Sequence, residues 1–189
     1  MPTSNLEKIM SDINRPPLTF SFFPEVPQFL VTSTDVADGV TLPQAQVADS
    51  MGYSGSNQSP QLSWSGFPSA TKSFAITIHD PDAPTGSGFW HWVVANIPVN
   101  VHELSTNAGA EGSHGLPSGV VQIRNDVGLP GFIGAAPPSG DAPHRYVTTV
   151  HAVDVERLDI DENVTPAIVG FNLRFHTLAR AQIVPIFGS

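Results

Sequence analysis

Along most of this chain apolar and polar residues alternate in short runs, and proline, glycine or Asp-Gly breaks the pattern every few residues. Side chains on a strand point alternately to opposite faces, so such runs predict short antiparallel strands. Strands are expected at Leu18–Phe22, Phe29–Ser33, Val40–Leu42, Leu62–Trp64, Ser73–Asp80, Gly88–Pro98, Val120–Asn125 and His144–Val153. Helical spacing is expected at two places. One is a short helix over Ser4–Ile13, stopped by Arg15-Pro16-Pro17; the other runs from Thr165 to Arg180, with Thr165-Pro166 as cap and first position. In the second helix Ile168, Phe171, Phe175 and Leu178 recur at helical spacing, while Gly170 costs on the order of 1 kcal/mol relative to alanine, so packing has to hold it. Arg174 and His176 read as structural or solvated flank residues. The tail Ala181–Phe187 reads as a last strand, with Pro185 favouring an edge. Many short strands and one late helix predict a mainly β protein, an antiparallel β-sandwich with short peripheral helices, and 189 residues fit one domain over 1–189.

Two connecting segments are long. Val99–Gly119 is polar and glycine-bearing, and is read either as a functional or partner surface or as a plain surface excursion. Asp126–Pro143 is too rich in glycine and proline for regular structure.

Chemistry concentrates where the Ser73–Asp80 run meets the linker Asp80-Pro81-Asp82-Ala83-Pro84 and the run Trp90-His91-Trp92. Asp80 extends the row Phe74, Ile76, Ile78, and His91 ends the row Val93, Ala95, Ile97, so the two could meet at the rim of one core. His144 and Tyr146 share a parity on the later strand, with Arg145 pointing away. A cluster of Asp80, Asp82, His91, His144 and Tyr146 can be read in several ways: rim groups satisfied by backbone or water, an oxyanion hook with carboxylates for the positive end of a zwitterion, a facial metal site, or a general acid–base pair. His79, His102, His114 and His151 read as satisfied or solvated.

Composition removes other classes. Eight Lys and Arg against seventeen Asp and Glu give a net charge of −9, with no basic stripe for nucleic acid or an anionic bilayer. There is no cysteine, hence no disulfide, thiolate metal site or thiol nucleophile. No phosphate loop, nucleophile elbow, metalloprotease helix or dinucleotide fingerprint occurs. A polar N-terminus and no span-length apolar run make cytosol the expectation.

The pieces Asn57-x-Ser-Pro-x-Leu-x-Trp64, Asp80-Pro-Asp-Ala-Pro84, Trp90-His-Trp-Val-Val94 with Asn96-Ile-Pro98, Asn125-Asp126, Gly134 with Pro137-Pro138, and His144-Arg-Tyr146 together resemble the phosphatidylethanolamine-binding protein family, in its bacterial and archaeal Raf-kinase-inhibitor-like branch. The resemblance implies a sandwich with a small anion pocket at one end, formed by Asp80, Asp82, Trp90, His91, Ala136, Pro138, His144 and Tyr146. Ala136 stands where eukaryotic relatives carry glycine and many bacterial ones cysteine. It further implies a non-enzymatic protein that binds phosphate or a phosphoethanolamine-like headgroup without a cofactor, with inhibition of a kinase or protease through its surface, and an enzyme on small phosphate compounds, as alternatives. The helix over Thr165–Arg180 corresponds to a region that helps cover the pocket in relatives, and relatives in this branch are often dimers.

Overall fold

The computed structural model describes residues 15–112 and 115–188; the helix expected over Ser4–Ile13, and His114, lie outside the described residues. In chain order the elements are β1 (Leu30–Thr32), β2 (Leu62–Ser65), β3 (Ser73–Asp80), β4 (Phe89–Pro98), β5 (Glu103–Leu104), β6 (Val121–Ile123), β7 (His144–Arg145), β8 (Val147–Val153), α1 (Pro166–His176), β9 (Thr177–Ile183) and β10 (Ile186–Phe187). A 3-10 turn at Gln44–Gln46 is the peripheral helical piece. Five strands form one antiparallel sheet in the order β6-β4-β3-β8-β9; the sheet β1-β2-β5 and the pair β10-β7 complete the sandwich.

The main core lies between these layers. Leu62 and Trp64 of β2 meet Phe74, Ile76 and Ile78 of β3, Trp92 and Val94 of β4, and Val150 of β8, with the Trp64 and Phe74 rings edge to face at 5.4 Å. A second core sits on the other face of the five-stranded sheet, where Ala75, Val93, Ala95 and Val153 pack under Val169 and Leu173 of α1. All eight residues of β3 are therefore buried, the polar-parity residues included.

Two irregularities in the β3–β4 ladder decide which face each side chain meets. Ile78 pairs with Trp92 but His79 pairs with Trp90, so His91 is the extra residue of a β-bulge. Strict alternation would send His91 to the α1 side with Val93 and Ala95; the bulge turns it toward Asp80 instead. A second shift lies between Phe74 and Ile76. There Asn96 takes a left-handed φ of 61°, and its carboxamide oxygen accepts the Leu158 N–H at 2.7 Å. Ile97 thereby returns to the main core, so the row Val93, Ala95, Ile97 expected from parity is split between two cores.

Several segments differ from expectation. The run His144–Val153 is two strands, β7 paired with β10 and β8 paired with β3 and β9, and the tail Ala181–Phe187 is divided between β9 and β10. Leu18–Phe22 is not a strand but a succession of turns, with Phe20 at φ 67°. It lies across the sheet as a strap: Arg180 donates to the carbonyls of Phe20 at 3.0 Å and Pro24 at 2.7 Å, and Phe20 sets its ring against His151 at 4.7 Å. Val40–Leu42 contributes one bridge, Thr41 to Ile186. The late helix stops at His176, because Thr177–Ile183 pairs along β8 and buries Ala179, Ala181 and Ile183 in alternation. Thr165 caps α1 through its hydroxyl. Its buried residues are Pro166, Val169 and Leu173, whereas Ile168, Phe171 and Phe175, whose spacing marked the helix, are exposed. Among the described residues no helix is long and apolar enough to cross a membrane.

Candidate functional site

At one end of the sandwich, β3 runs out into the Asp80–Gly88 turn beside β7 and the loop following Gly134. These elements enclose a cleft of about 220 Å³, lined among others by Asp80, His91, His144, Ala136, Pro138 and Phe89. Asp80 shapes both the turn and the cleft. Its Oδ1 accepts the amides of Asp82 at 2.8 Å and Ala83 at 3.1 Å, and its Oδ2 accepts Nδ1–H of His144 at 2.6 Å. Both residues are buried, 3% exposed each. Burial pushes the Asp80 carboxyl above the usual range, against the opposing pull of the His144 hydrogen bond.

His144 has a second carboxylate at its other nitrogen: Oδ2 of Asp141 lies 3.4 Å from Nε2. The ring thus stands between two carboxylates, one close and buried, the other distant. The Asp141 side chain is 43% exposed, so this contact sits at the cleft rim and yields more easily than the buried one.

His91 is different in kind. Its Nδ1–H donates to the carbonyl of Ile133 at 2.8 Å, and burial lowers its pKa to about 4. At neutral pH it is therefore uncharged, with a lone pair left on Nε2. The cleft thus combines one ring able to donate with one able to accept.

The rim is held from behind. Gly134 donates to the Asn57 side chain at 2.7 Å, the Tyr53 hydroxyl donates to the Pro137 carbonyl at 2.6 Å, and Ala135 bridges to Val47. A Cβ on Gly134 would lie 2.4 Å from the Ala48 nitrogen, so this backbone approach requires glycine.

Three of the residues assigned by sequence lie off this cleft. Asp82 receives Arg145 in a fork, Nε at 2.8 Å and Nη2 at 2.7 Å, together with the Arg145 amide. Burial would raise its carboxyl, but the Arg145 hydrogen bonds and charge outweigh that and hold it below the usual range. Trp90 stacks on His79 at 4.2 Å on the strap side of the sheet. Tyr146 approaches His91 at 5.1 Å, but its hydroxyl is buried without a hydrogen-bond partner, beside an internal cavity of about 10 Å³; burial raises its pKa far above that of a free phenol. The carboxylates assigned to the positive end of a zwitterion are thus both consumed internally, and the rim carboxylate is Asp141. Sequence reasoning missed it; its one signal was the position three residues before His144 in an irregular loop. Among the described residues no trio of His, Asp or Glu is placed to hold a metal ion.

The other histidines are structural where described. His79 takes the Thr19 hydroxyl at 2.7 Å and donates to the Ser87 carbonyl at 3.1 Å, and His102 bonds the Val99 carbonyl at 2.9 Å. His151 is fully buried against Thr177, its Nε2 unpartnered.

Residues 32–188 match the family model described as phosphatidylethanolamine-binding protein. The UPF0098 protein YbhB of Escherichia coli is 52% identical over 155 residues, 82% of this chain and 97% of that protein. The crystal structure of E. coli YbcL, titled a new member of the mammalian PEBP family, superposes with a TM-score of 0.84 at 47% identity, covering 86% of this chain and 99% of that one. A PEBP homolog from Chlamydia trachomatis gives a TM-score of 0.71 at 28% identity, over 86% and 98% of the two chains.

Proposed function

The chain belongs to the phosphatidylethanolamine-binding protein family, and on that premise we propose that its cleft binds a small phosphate-type anion, free or as the headgroup of an amino-alcohol phosphate, and releases it unchanged. The observation that carries this reading is the buried Asp80–His144 pair, whose second ring nitrogen lies at the cleft with only a long, rim-exposed contact to Asp141. Asp80 holds the ring in place. An incoming oxyanion takes the Nε2–H from Asp141 and forms a charge-assisted hydrogen bond.

His91 adds selectivity. Its Nε2 lone pair accepts a hydrogen bond, so the preferred guest offers one anionic oxygen and one P–OH, the monoanion of phosphate or a phosphate monoester. Affinity then falls as pH rises through about 6, where such a monoester loses its second proton. Asp141, displaced from His144, is placed to receive the ammonium of a phosphoethanolamine-like ligand.

Phosphorus NMR of phosphoethanolamine tests both halves of the proposal. Line broadening on adding the protein, abolished in His144→Ala, is expected, with the ligand resonance otherwise intact after prolonged incubation. Equal broadening by the variant would remove the binding reading, and a new phosphorus resonance that depends on His91 would replace it with an enzyme.

A further inference from the structure

The Asp80–Gly88 turn has a second cleft on its far side. This one measures about 840 Å³ and lies between the strap, the turn and α1, well within the range of pockets that hold a whole organic ligand. Its walls are apolar: Phe20, Phe22 and Phe23 from the strap, Phe171 and Phe175 from α1, and Trp90 from β4. Phe22 is 82% exposed, Phe171 64% and Phe175 67%, a concentration of open aromatic surface that isolated exposed hydrophobics do not produce. The strap residues lining it precede residue 32, where the family match begins.

Two further observations indicate what the cleft receives. The first is charge. In a chain of net charge −9, four of the eight Lys and Arg, namely Arg15, Arg145, Arg174 and Arg180, surround the strap. Three are engaged: Arg145 and Arg15 with Asp82, and Arg180 with strap carbonyls. Asp82 is the one carboxylate lining the cleft among the described residues, and Arg145 already neutralises it. Arg174 also lines the cleft, lies 5.9 Å over the Phe23 ring, and has no ion pair or hydrogen bond among the described residues. The cleft is therefore apolar with one uncompensated cation.

The second is Gly170. It lies inside α1 and lines the cleft, yet a Cβ placed there meets no atom within 4 Å. Packing does not require glycine at this position, and helix propensity opposes it. What the missing side chain preserves is open space.

We propose that this cleft binds an amphipathic anion, an aliphatic carboxylate whose chain lies among the strap and α1 phenylalanines over Gly170 and whose headgroup pairs with Arg174. The site is separate from the Asp80–His144 cleft and does not depend on what that cleft holds.

The test is a titration with dodecanoate below its aggregation concentration, followed by Trp90 fluorescence and by calorimetry, with 1-dodecanol as the uncharged counterpart. The wild-type chain binds dodecanoate saturably, one per chain, and inorganic phosphate does not compete. Gly170→Leu, which fills the space while improving the helix, loses at least about tenfold in affinity for both probes. Arg174→Gln loses about tenfold for dodecanoate and keeps its affinity for dodecanol. Circular dichroism and sedimentation of both variants match the wild type. Dodecanoate binding untouched by Gly170→Leu, or competed by phosphate, overturns the proposal. So does a wild-type dimer that Gly170→Leu dissociates, which assigns the cleft to a second copy of the chain. Binding seen only after removal of residues 1–14 overturns it in favour of the chain's own N-terminus.

Discussion

Replacing Asp141 by asparagine separates the two roles assigned to the rim. In the free protein Asp141 competes with any anion for Nε2–H of His144, from 3.4 Å away and 43% exposed. A bound phosphate oxygen would sit at a comparable distance from the carboxylate. Two unit charges about 4 Å apart interact by roughly 1 kcal/mol in water and about 4 kcal/mol at an effective dielectric of 20; so exposed a group belongs near the lower figure. Removing the charge should therefore tighten inorganic phosphate by about fivefold. Asp80, buried 2.6 Å from Nδ1 of His144, remains to hold the ring. Phosphoethanolamine loses the partner of its ammonium in the same substitution, so its affinity stays level or falls. The expected signature is a drop of about fivefold or more in the preference for phosphoethanolamine over phosphate. Calorimetric titration of both ligands into both proteins at low ionic strength measures it, with the exposed Glu156→Gln as a control for net charge. Unchanged preference, or weaker phosphate binding by Asp141→Asn, would refute the assignment.

Other consequences concern stability. His91 and His151 are buried neutral, with pKa values lowered by desolvation to about 4 and about 3. The unfolded chain then binds more protons than the native one below about pH 6.5, so stability present above that pH is lost on acidification toward 4, by up to about 1.4 kcal/mol per pH unit for each histidine; Asp80, whose carboxyl is raised, opposes this nearer the carboxylate range. Burial lowers the pKa of His79 in the same direction. Urea unfolding at pH 7 and 5 should show the loss, and His151→Leu should make the slope shallower without abolishing it; parallel curves would count against buried neutral histidines. Gly134→Ala forces a Cβ into the Val47–Ala48 backbone, and should cost about 1–3 kcal/mol and weaken phosphate binding through the displaced rim. Arg180→Gln removes both donors to the Phe20 and Pro24 carbonyls, and should cost about 2 kcal/mol while opening residues 15–28 to limited proteolysis; a resistant strap would show that other contacts hold it.

The large strands were legible because alternation and β-branched residues speak clearly over seven to ten positions, as in β3, β4 and β8. Three residues of the family motifs, Asp80, His91 and His144, come to line one cleft. The parity argument for His91, by contrast, reached the right place by the wrong route: without the bulge opposite Ile78 and His79 its ring would face α1. A single inserted residue leaves no mark on apolar periodicity. Helix α1 shows the opposite error, since Ile168, Phe171 and Phe175 gave a clear helical stripe that faces outward, while Val169 and Leu173 make the core contact. Spacing identifies a helix but does not say which of two apolar stripes is covered. That Asp82 is forked by Arg145 away from this cleft left no sign in the sequence, because the contact spans 63 positions. Asp141 was missed because an irregular loop carries no period.

The most direct measurement is a crystal structure of the chain soaked with phosphoethanolamine. A phosphate oxygen should lie within about 3 Å of His144 Nε2, with the Asp80–His144 bond retained and Asp141 swung from the ring toward the ammonium. A phosphate bound elsewhere, with Asp141 still on His144, would contradict the proposed binding.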